Sequence, residues 1–192
     1  MLNVAPIWLP QLQQQNYRAV LDAMSRPGRY QTLSIDRGDD DHNEPALIAL
    51  LASLLDQTVS LADPDKLISQ EHMLLLQAQF DQPEQADFIL CRGTERPNFQ
   101  PKLGTLPSPE HSATIVILLE KIARSNEHCE LTLQIQGPGI DGIELSGITG
   151  LNEQWLSARA QWVSNFPLGA DLILVDDSGL VALPRTSKVE IF

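Results

Sequence analysis

The chain has 192 residues, of which 43% are hydrophobic and 20% charged, and its formal net charge is −12. A single domain over residues 1–192 of this composition buries roughly 70% of the surface of its unfolded chain without staples, which excludes a chain disordered throughout. The charge repels nucleic-acid phosphates and gives no long-range pull on small anionic ligands, so no nucleic acid is expected as a partner.

The N-terminus Met1-Leu2-Asn3-Val4-Ala5-Pro6-Ile7-Trp8 has no basic region and is not a signal peptide. The longest apolar run, residues 46–55 broken only by Ser53, falls far short of the ~20 residues that span a bilayer. A cytoplasmic protein without membrane contact is expected, with Cys91 and Cys129 as buried thiols rather than a disulfide.

Tyr17, Val20, Leu21 and Met24 recur at helical spacing and predict an amphipathic helix over residues 16–25. Pro27-Gly28 ends it in a type II turn. Residues 30–35 read as a strand and the acidic stretch 37–44 as a loop. Residues 45–55 are apolar nearly all round and predict a buried helix with Pro45 in its first turn. A short strand over 58–62 precedes a helix over 63–77, with Asp63 as N-cap and Pro64 behind it.

Residues 86–91 form another short strand. Residues 92–109, with four prolines and two glycines, read as a long irregular connection, and such a loop in a compact domain is often functional. The unbroken apolar run 113–119 predicts a central strand covered on both faces. Residues 130–136 place Leu131, Leu133 and Ile135 on one face, with 143–148 as hairpin mate. Residues 152–163 read as a helix capped by Asn152, with Trp155, Leu156, Arg159 and Trp162 on one stripe, for core packing or a protein interface. Strands over 171–175 and 180–183 are joined by a hairpin at 176–179, and 188–192 adds a last strand. Interleaved helices and strands predict a mixed-sheet α/β domain with helices on the faces.

Few motifs carry chemistry. Gly137-Pro138-Gly139-Ile140-Asp141-Gly142 matches G-x-G-x-x-G, but a strand-like segment follows it where a dinucleotide site needs a helix. It therefore reads as a turn between strands. None of Lys66, Lys102, Lys121 or Lys188 is followed by Ser or Thr, so there is no P-loop. His42 among Asp39, Asp40, Asp41 and Glu44 reads as a solvated acidic loop rather than a metal site. His128 and Cys129, adjacent on a strand, point to opposite faces and cannot pair as base and nucleophile. Pro184-Arg185-Thr186-Ser187-Lys188 gathers two cations and two hydroxyls and reads as a strand–loop–strand corner with ordinary surface charges, with an anion site as the alternative; on a continued strand Arg185 and Lys188 would fall on opposite faces and could not grip one anion together. Arg26 and Arg29 flank a helix C-terminus, where cations complement its dipole.

Residues 17–28, Tyr17-Arg18-Ala19-Val20-Leu21-Asp22-Ala23-Met24-Ser25-Arg26-Pro27-Gly28, resemble the N-terminal helix and turn of the H-subunit family of the bacterial carbon–phosphorus lyase system. Phe166-Pro167-Leu168-Gly169-Ala170-Asp171-Leu172-Ile173-Leu174 and Leu183-Pro184-Arg185-Thr186-Ser187-Lys188-Val189 are similar to the same family, with the Gly137–Ile140 turn between. The blocks occur in the family's order, and residues 37–112 carry little of the signal.

The resemblance implies a three-layer α/β/α sandwich with a mixed sheet, similar to the pyridoxal-phosphate-dependent transferases but without their cofactor. It implies a homodimer joined to the G, I and J subunits. With an ATPase-like L component, the G, H and I subunits are implicated in transferring the ribosyl triphosphate of ATP to an alkylphosphonate, displacing adenine. The radical, iron–sulfur J subunit breaks the C–P bond later. The expectation is a non-catalytic or co-catalytic subunit, with no catalytic, cofactor-binding or metal residue assigned. Ligand or partner contacts are expected at Arg185, Thr186, Lys188, Gly169 and Arg26. The rival expectation is a subunit that binds a phosphonate or nucleotide, or acts catalytically, at the Arg185 corner.

Overall fold

The computed structural model describes residues 8–35, 44–123 and 128–192. The predicted cluster Asp39–His42 lies outside them. Helix α1 (Pro10–Ser25) begins six residues before the predicted start, because the glutamine-rich segment ahead of Asn16 favours helix without apolar periodicity. Its buried face is Asn16, Val20 and Ala23, whereas Tyr17 and Leu21 are 46% and 51% exposed. Asn16 replaces the expected apolar anchor. Its side chain donates to the Ser34 carbonyl at 3.1 Å and accepts from the Ser34 N–H at 2.8 Å, so a buried amide is satisfied and can stay inside.

Strand β1 (Gln31–Thr32) is shorter than predicted, and helix α2 (Pro45–Leu54) is buried nearly all round, as expected. After β2 (Ser60–Ala62) the predicted helix over 63–77 is only half formed. The Asp63 carboxylate accepts from the N–H groups of Leu67 and Ile68. The cap therefore closes a turn, in which Lys66 takes a positive φ of 53°. Helix α3 (Gln70–Leu76) starts only after Ser69, whose hydroxyl accepts from the His72 N–H.

Strands β3 (Gln79–Phe80) and β4 (Phe88–Arg92) follow. The connection read as wholly irregular contains the start of a hairpin, β5 (Leu103–Thr105) with β6 (Ser108–Ser112). Strand β7 (Thr114–Leu118) is central. Strands β8 (Lys121–Ala123), β9 (Leu131–Gln136) and β10 (Glu144–Thr149) lead to helix α4 (Gln154–Trp162). The cap position of α4 is Glu153, one residue later than predicted and without a side-chain cap bond, while the Asn152 side-chain oxygen accepts from the Gln154 N–H at 3.0 Å just ahead of the helix. Strands β11 (Asp171–Val175), β12 (Gly179–Leu183) and β13 (Lys188–Ile191) end the chain.

The main sheet has the order β1-β12-β11-β7-β4-β2-β3, with β11, β7, β4, β2 and β3 parallel and β12 antiparallel to both its neighbours. One face packs Leu90, Val116 and Ile173 against α1 and α2. The other packs Ile89, Ile115, Leu172 and Leu174 against α4 and a second, antiparallel sheet β13-β9-β10-β8. The mixed α/β reading therefore holds, and the outer layer differs from the helical one expected: α4 shares it with four strands. The alternation in β9 demands this arrangement, since Leu133 and Ile135 must be covered on one face.

The tryptophan stripe of α4 packs within the chain. Trp155 and Trp162 are buried, and Phe99 lies with its ring centroid 6.2 Å from each. Trp155 Nε1 donates to the Glu95 carbonyl and Trp162 Nε1 to Gln100 Oε1. The proline-rich connection is thus pinned onto α4, and the stripe gives no reason for a second copy to cover it. No helix among the described residues is long and apolar enough to cross a membrane. Cys91 is buried, Cys129 only partly so, and both are free.

Candidate functional site

The two edges of the parallel strands differ in character. At the amino edge, Leu183 of β12 pairs with Leu172 of β11, so the chain leaves β12 beside the start of β11. The Pro184–Lys188 corner forms there. Asp171 Oδ1 accepts from the Arg185 backbone N–H at 2.6 Å and from its Nε at 3.2 Å, and Oδ2 accepts from Nη2 at 2.6 Å. Nη1 donates to the Pro109 carbonyl at 2.8 Å. The Arg185 guanidinium is thus engaged on three nitrogens inside the chain, with side-chain exposures of 17% for Arg185 and 13% for Asp171.

Arg159 of α4 reaches the same corner from below. Its Nη2 donates to the carbonyls of Pro184 and Ser187, at 2.6 and 3.0 Å. Burial pulls its guanidinium down to about 10, opposed by the charge of Asp171, so it remains a cation at neutral pH. Its Nε and the Ser187 hydroxyl are buried without a hydrogen-bond partner. Sequence reading placed Arg159 on a core stripe and missed this role. An arginine on the buried face of a helix is itself the signal, since a buried charge needs partners nearby.

The expected contact residues are gathered only in part. Gly169, with φ of +150°, lies beside Arg185: a Cβ there would stand 3.3 Å from the Arg185 Cβ. Thr186 is exposed, and its carbonyl lies 3.1 Å from where a Gly137 Cβ would be. Lys188 and Arg26 are exposed and paired with Glu190 and Asp22 respectively. Arg185 lies in the turn before β13 rather than on the strand with Lys188, and each cation has its own partner.

The glycine turn between β9 and β10 docks onto the end of α1. A Cβ on Gly139, whose φ is +84°, would stand 2.0 Å from the Ser25 carbonyl oxygen, so only glycine fits. Gly139→Ala should destabilise the protein by about 2 kcal/mol, lowering the melting temperature by roughly 4–8 °C. Calorimetry showing an unchanged transition would remove this packing role.

At the carboxyl edge, Arg92, Leu118 and Val175 end β4, β7 and β11 in register. A cleft of about 310 Å³ opens there. Arg92 and Thr94 line it from the β4 side, Leu118 and Glu120 from β7, and Asp177 from the hairpin after β11. Glu44 and Gly150 complete it. A Cβ on Gly150, at φ +83°, would lie 2.7 Å from the Glu120 Cγ, and one on Gly93 would lie 2.4 Å from the Gly150 carbonyl oxygen. Glycine is thus required where these loops touch. Among the described residues no lysine lines this cleft, and no three His, Cys, Asp or Glu side chains gather as metal ligands.

The amino-edge corner joins the segments that carried the family resemblance, and comparison with known proteins agrees. The family model described as bacterial phosphonate metabolism protein (PhnH) matches residues 7–190. The chain belongs to this family. Among curated members of related sequence, a protein of Stutzerimonas stutzeri named as a C-P lyase subunit, HtxG, is 34% identical over 185 residues, covering 96% of this chain and 89% of the relative. The PhnH subunit of alpha-D-ribose 1-methylphosphonate 5-triphosphate synthase of Rhizobium meliloti (strain 1021) is 28% identical over 186 residues, 92% of this chain and 90% of the relative. For this PhnH-family chain, the conformational constraints at Gly139 and the Asp171–Arg185 pair give physical reasons for the residues on which the resemblance rests.

Proposed function

We propose that this chain is the H-type subunit of a carbon–phosphorus lyase assembly in phosphonate catabolism, needed for coupling the ribosyl triphosphate of ATP to an alkylphosphonate and without a complete active site of its own. The match to the family over residues 7–190 carries this reading, and the two relatives named as subunits support it. The partners in this reading are a second copy of the chain and the G, I and J subunits. A cytoplasmic location and a relationship to the pyridoxal-phosphate transferase fold without its cofactor belong to the same reading. The lysines agree with it: Lys66, Lys121 and Lys188 are exposed, and Lys102 is ion-paired with Asp87, so none is set as a buried Schiff-base amine.

The corner at Arg185, Thr186, Lys188 and Gly169 serves in this reading as a rigid surface for partner subunits. The alternative is a ligand-binding or catalytic corner, and the intramolecular engagement of Arg185 speaks against it. Reconstitution tests both. The isolated chain should not turn over ATP and a phosphonate, and omitting it from the assembly should abolish turnover. Turnover by the isolated chain would overturn the subunit reading. Arg185→Ala in the reconstituted assembly should weaken stability or assembly first. Lost turnover with stability and assembly intact would instead place Arg185 in the active site.

A further inference from the structure

The cleft at the carboxyl edge lies where open parallel sheets bind ligands, outside the carboxyl ends of adjacent strands. Its charges follow the strand order. Asp177 stands at the β11 position, Glu120 at β7 and Arg92 at β4. With about 4.8 Å between neighbouring strands, Glu120 and Arg92 stand about one strand spacing apart. Arg92 and Glu120 belong to adjacent strand ends, yet they form no ion pair with each other, and neither side chain bonds any described residue. The Glu120 stem is set over Gly150, where a Cβ would collide with it. The Arg92 backbone N–H is held by Asp65 Oδ2 at 2.7 Å. Opposite charges are thus positioned side by side and left unbridged.

From this arrangement we infer that the cleft binds a small zwitterion, its oxyanion on Arg92 and the Thr94 hydroxyl and its ammonium on Glu120. The volume, about 310 Å³, is at the low end for small-molecule sites and suits a compound with a short carbon chain between its charges. Among the described lining residues, an anion alone would face the carboxylates of Glu44 and Glu120 beside one guanidinium. A simple phosphonate therefore lacks what this edge offers. Phosphonate as the oxyanion rests on the subunit reading above, whereas the demand for both charges rests on the cleft itself.

Titration calorimetry on the full chain tests this with four probes: 2-aminoethylphosphonate, 3-aminopropanoate, ethylphosphonate and ethylamine. The doubly charged probes should bind saturably at millimolar concentration, and the singly charged ones at least about tenfold more weakly. Arg92→Gln and Glu120→Gln should each weaken the zwitterion by about tenfold with an unchanged melting temperature, since both side chains are exposed. A preference for the phosphonate over the carboxylate supports the full proposal. Equal affinity for both keeps the zwitterion site and overturns phosphonate as its specific oxyanion, leaving the subunit reading to its reconstitution test. Saturation by ethylphosphonate as tight as by 2-aminoethylphosphonate, no saturable heat from any probe, or variants that bind like the parent would each overturn the site.

Discussion

Asp176→Ala should lower the unfolding free energy by about 4 kcal/mol. Asp176 is 4% exposed. Its Oδ1 accepts from the Tyr30 hydroxyl at 2.9 Å, the Ser178 N–H at 3.0 Å and the Gly179 N–H at 2.9 Å. Its Oδ2 accepts from the Ile122 N–H at 3.1 Å. One carboxylate thereby closes the β11–β12 hairpin, anchors the residue before β1, and ties the main sheet to β8 of the second sheet. Alanine leaves those donors facing a void, and each buried unsatisfied donor costs about 1–3 kcal/mol. Asp176→Asn retains one acceptor oxygen for the three donors at Oδ1 and turns an amide toward Ile122, so it should cost about half as much. Urea denaturation at neutral pH reads both. A loss below about 1 kcal/mol for alanine would mean that water reaches these donors and that the carboxylate does not organise the junction.

The second large effect is expected at Asp171 and Arg185. Asp171→Ala should destabilise by about 3 kcal/mol, because it strands the Arg185 guanidinium and removes the carboxylate whose charge supports the buried Arg159. Arg185→Met should cost less, because its stem is replaced and Asp171 keeps the backbone N–H of residue 185. The double variant should be more stable than the sum of the two losses predicts, giving a coupling energy of about 2 kcal/mol. The pair is roughly five-sixths buried, from side-chain exposures of 17% and 13%, so added salt should reduce the coupling only slightly. If the coupling falls below about 0.5 kcal/mol, the pair is a surface contact and the guanidinium is available to a ligand, which would revive the anion reading of the corner.

The corner shows how far the residue pattern could be read. Two cations and two hydroxyls in five residues leave an anion site open when only the chain is considered. What engages Arg185 is a carboxylate fourteen positions earlier and the Pro109 carbonyl seventy-six positions earlier, and no local pattern reports contacts at such separations. The cleft was less legible still. Arg92, Glu120 and Asp177 each follow an apolar strand, and a polar residue at a strand end is ordinary by itself. Their common edge exists only because β4, β7 and β11 are neighbours in register. The false helix start at Asp63 has the same origin in reverse: the cap chemistry was read correctly, and the chain used it to close a turn.

Local chemistry settled much of this protein from the residues themselves. The apolar periods of α2, β7, β9 and β11, the glycine turn at 137–142 and the hairpin at 176–179 follow from side-chain alternation and backbone freedom, as did the family resemblance. The tertiary structure alone decided which face of α1 turns inward, since Asn16 is buried by a partner on another element. It decided too that the second face of the main sheet is covered largely by strands, that Trp155 and Trp162 are sealed by residues 95–100, and that Arg92 and Glu120 stand side by side at one sheet edge without pairing to each other. These outcomes depend on strand order and long-range pairing. Burial and electrostatic energies act between neighbours in space, and neighbours in space are set by the whole fold.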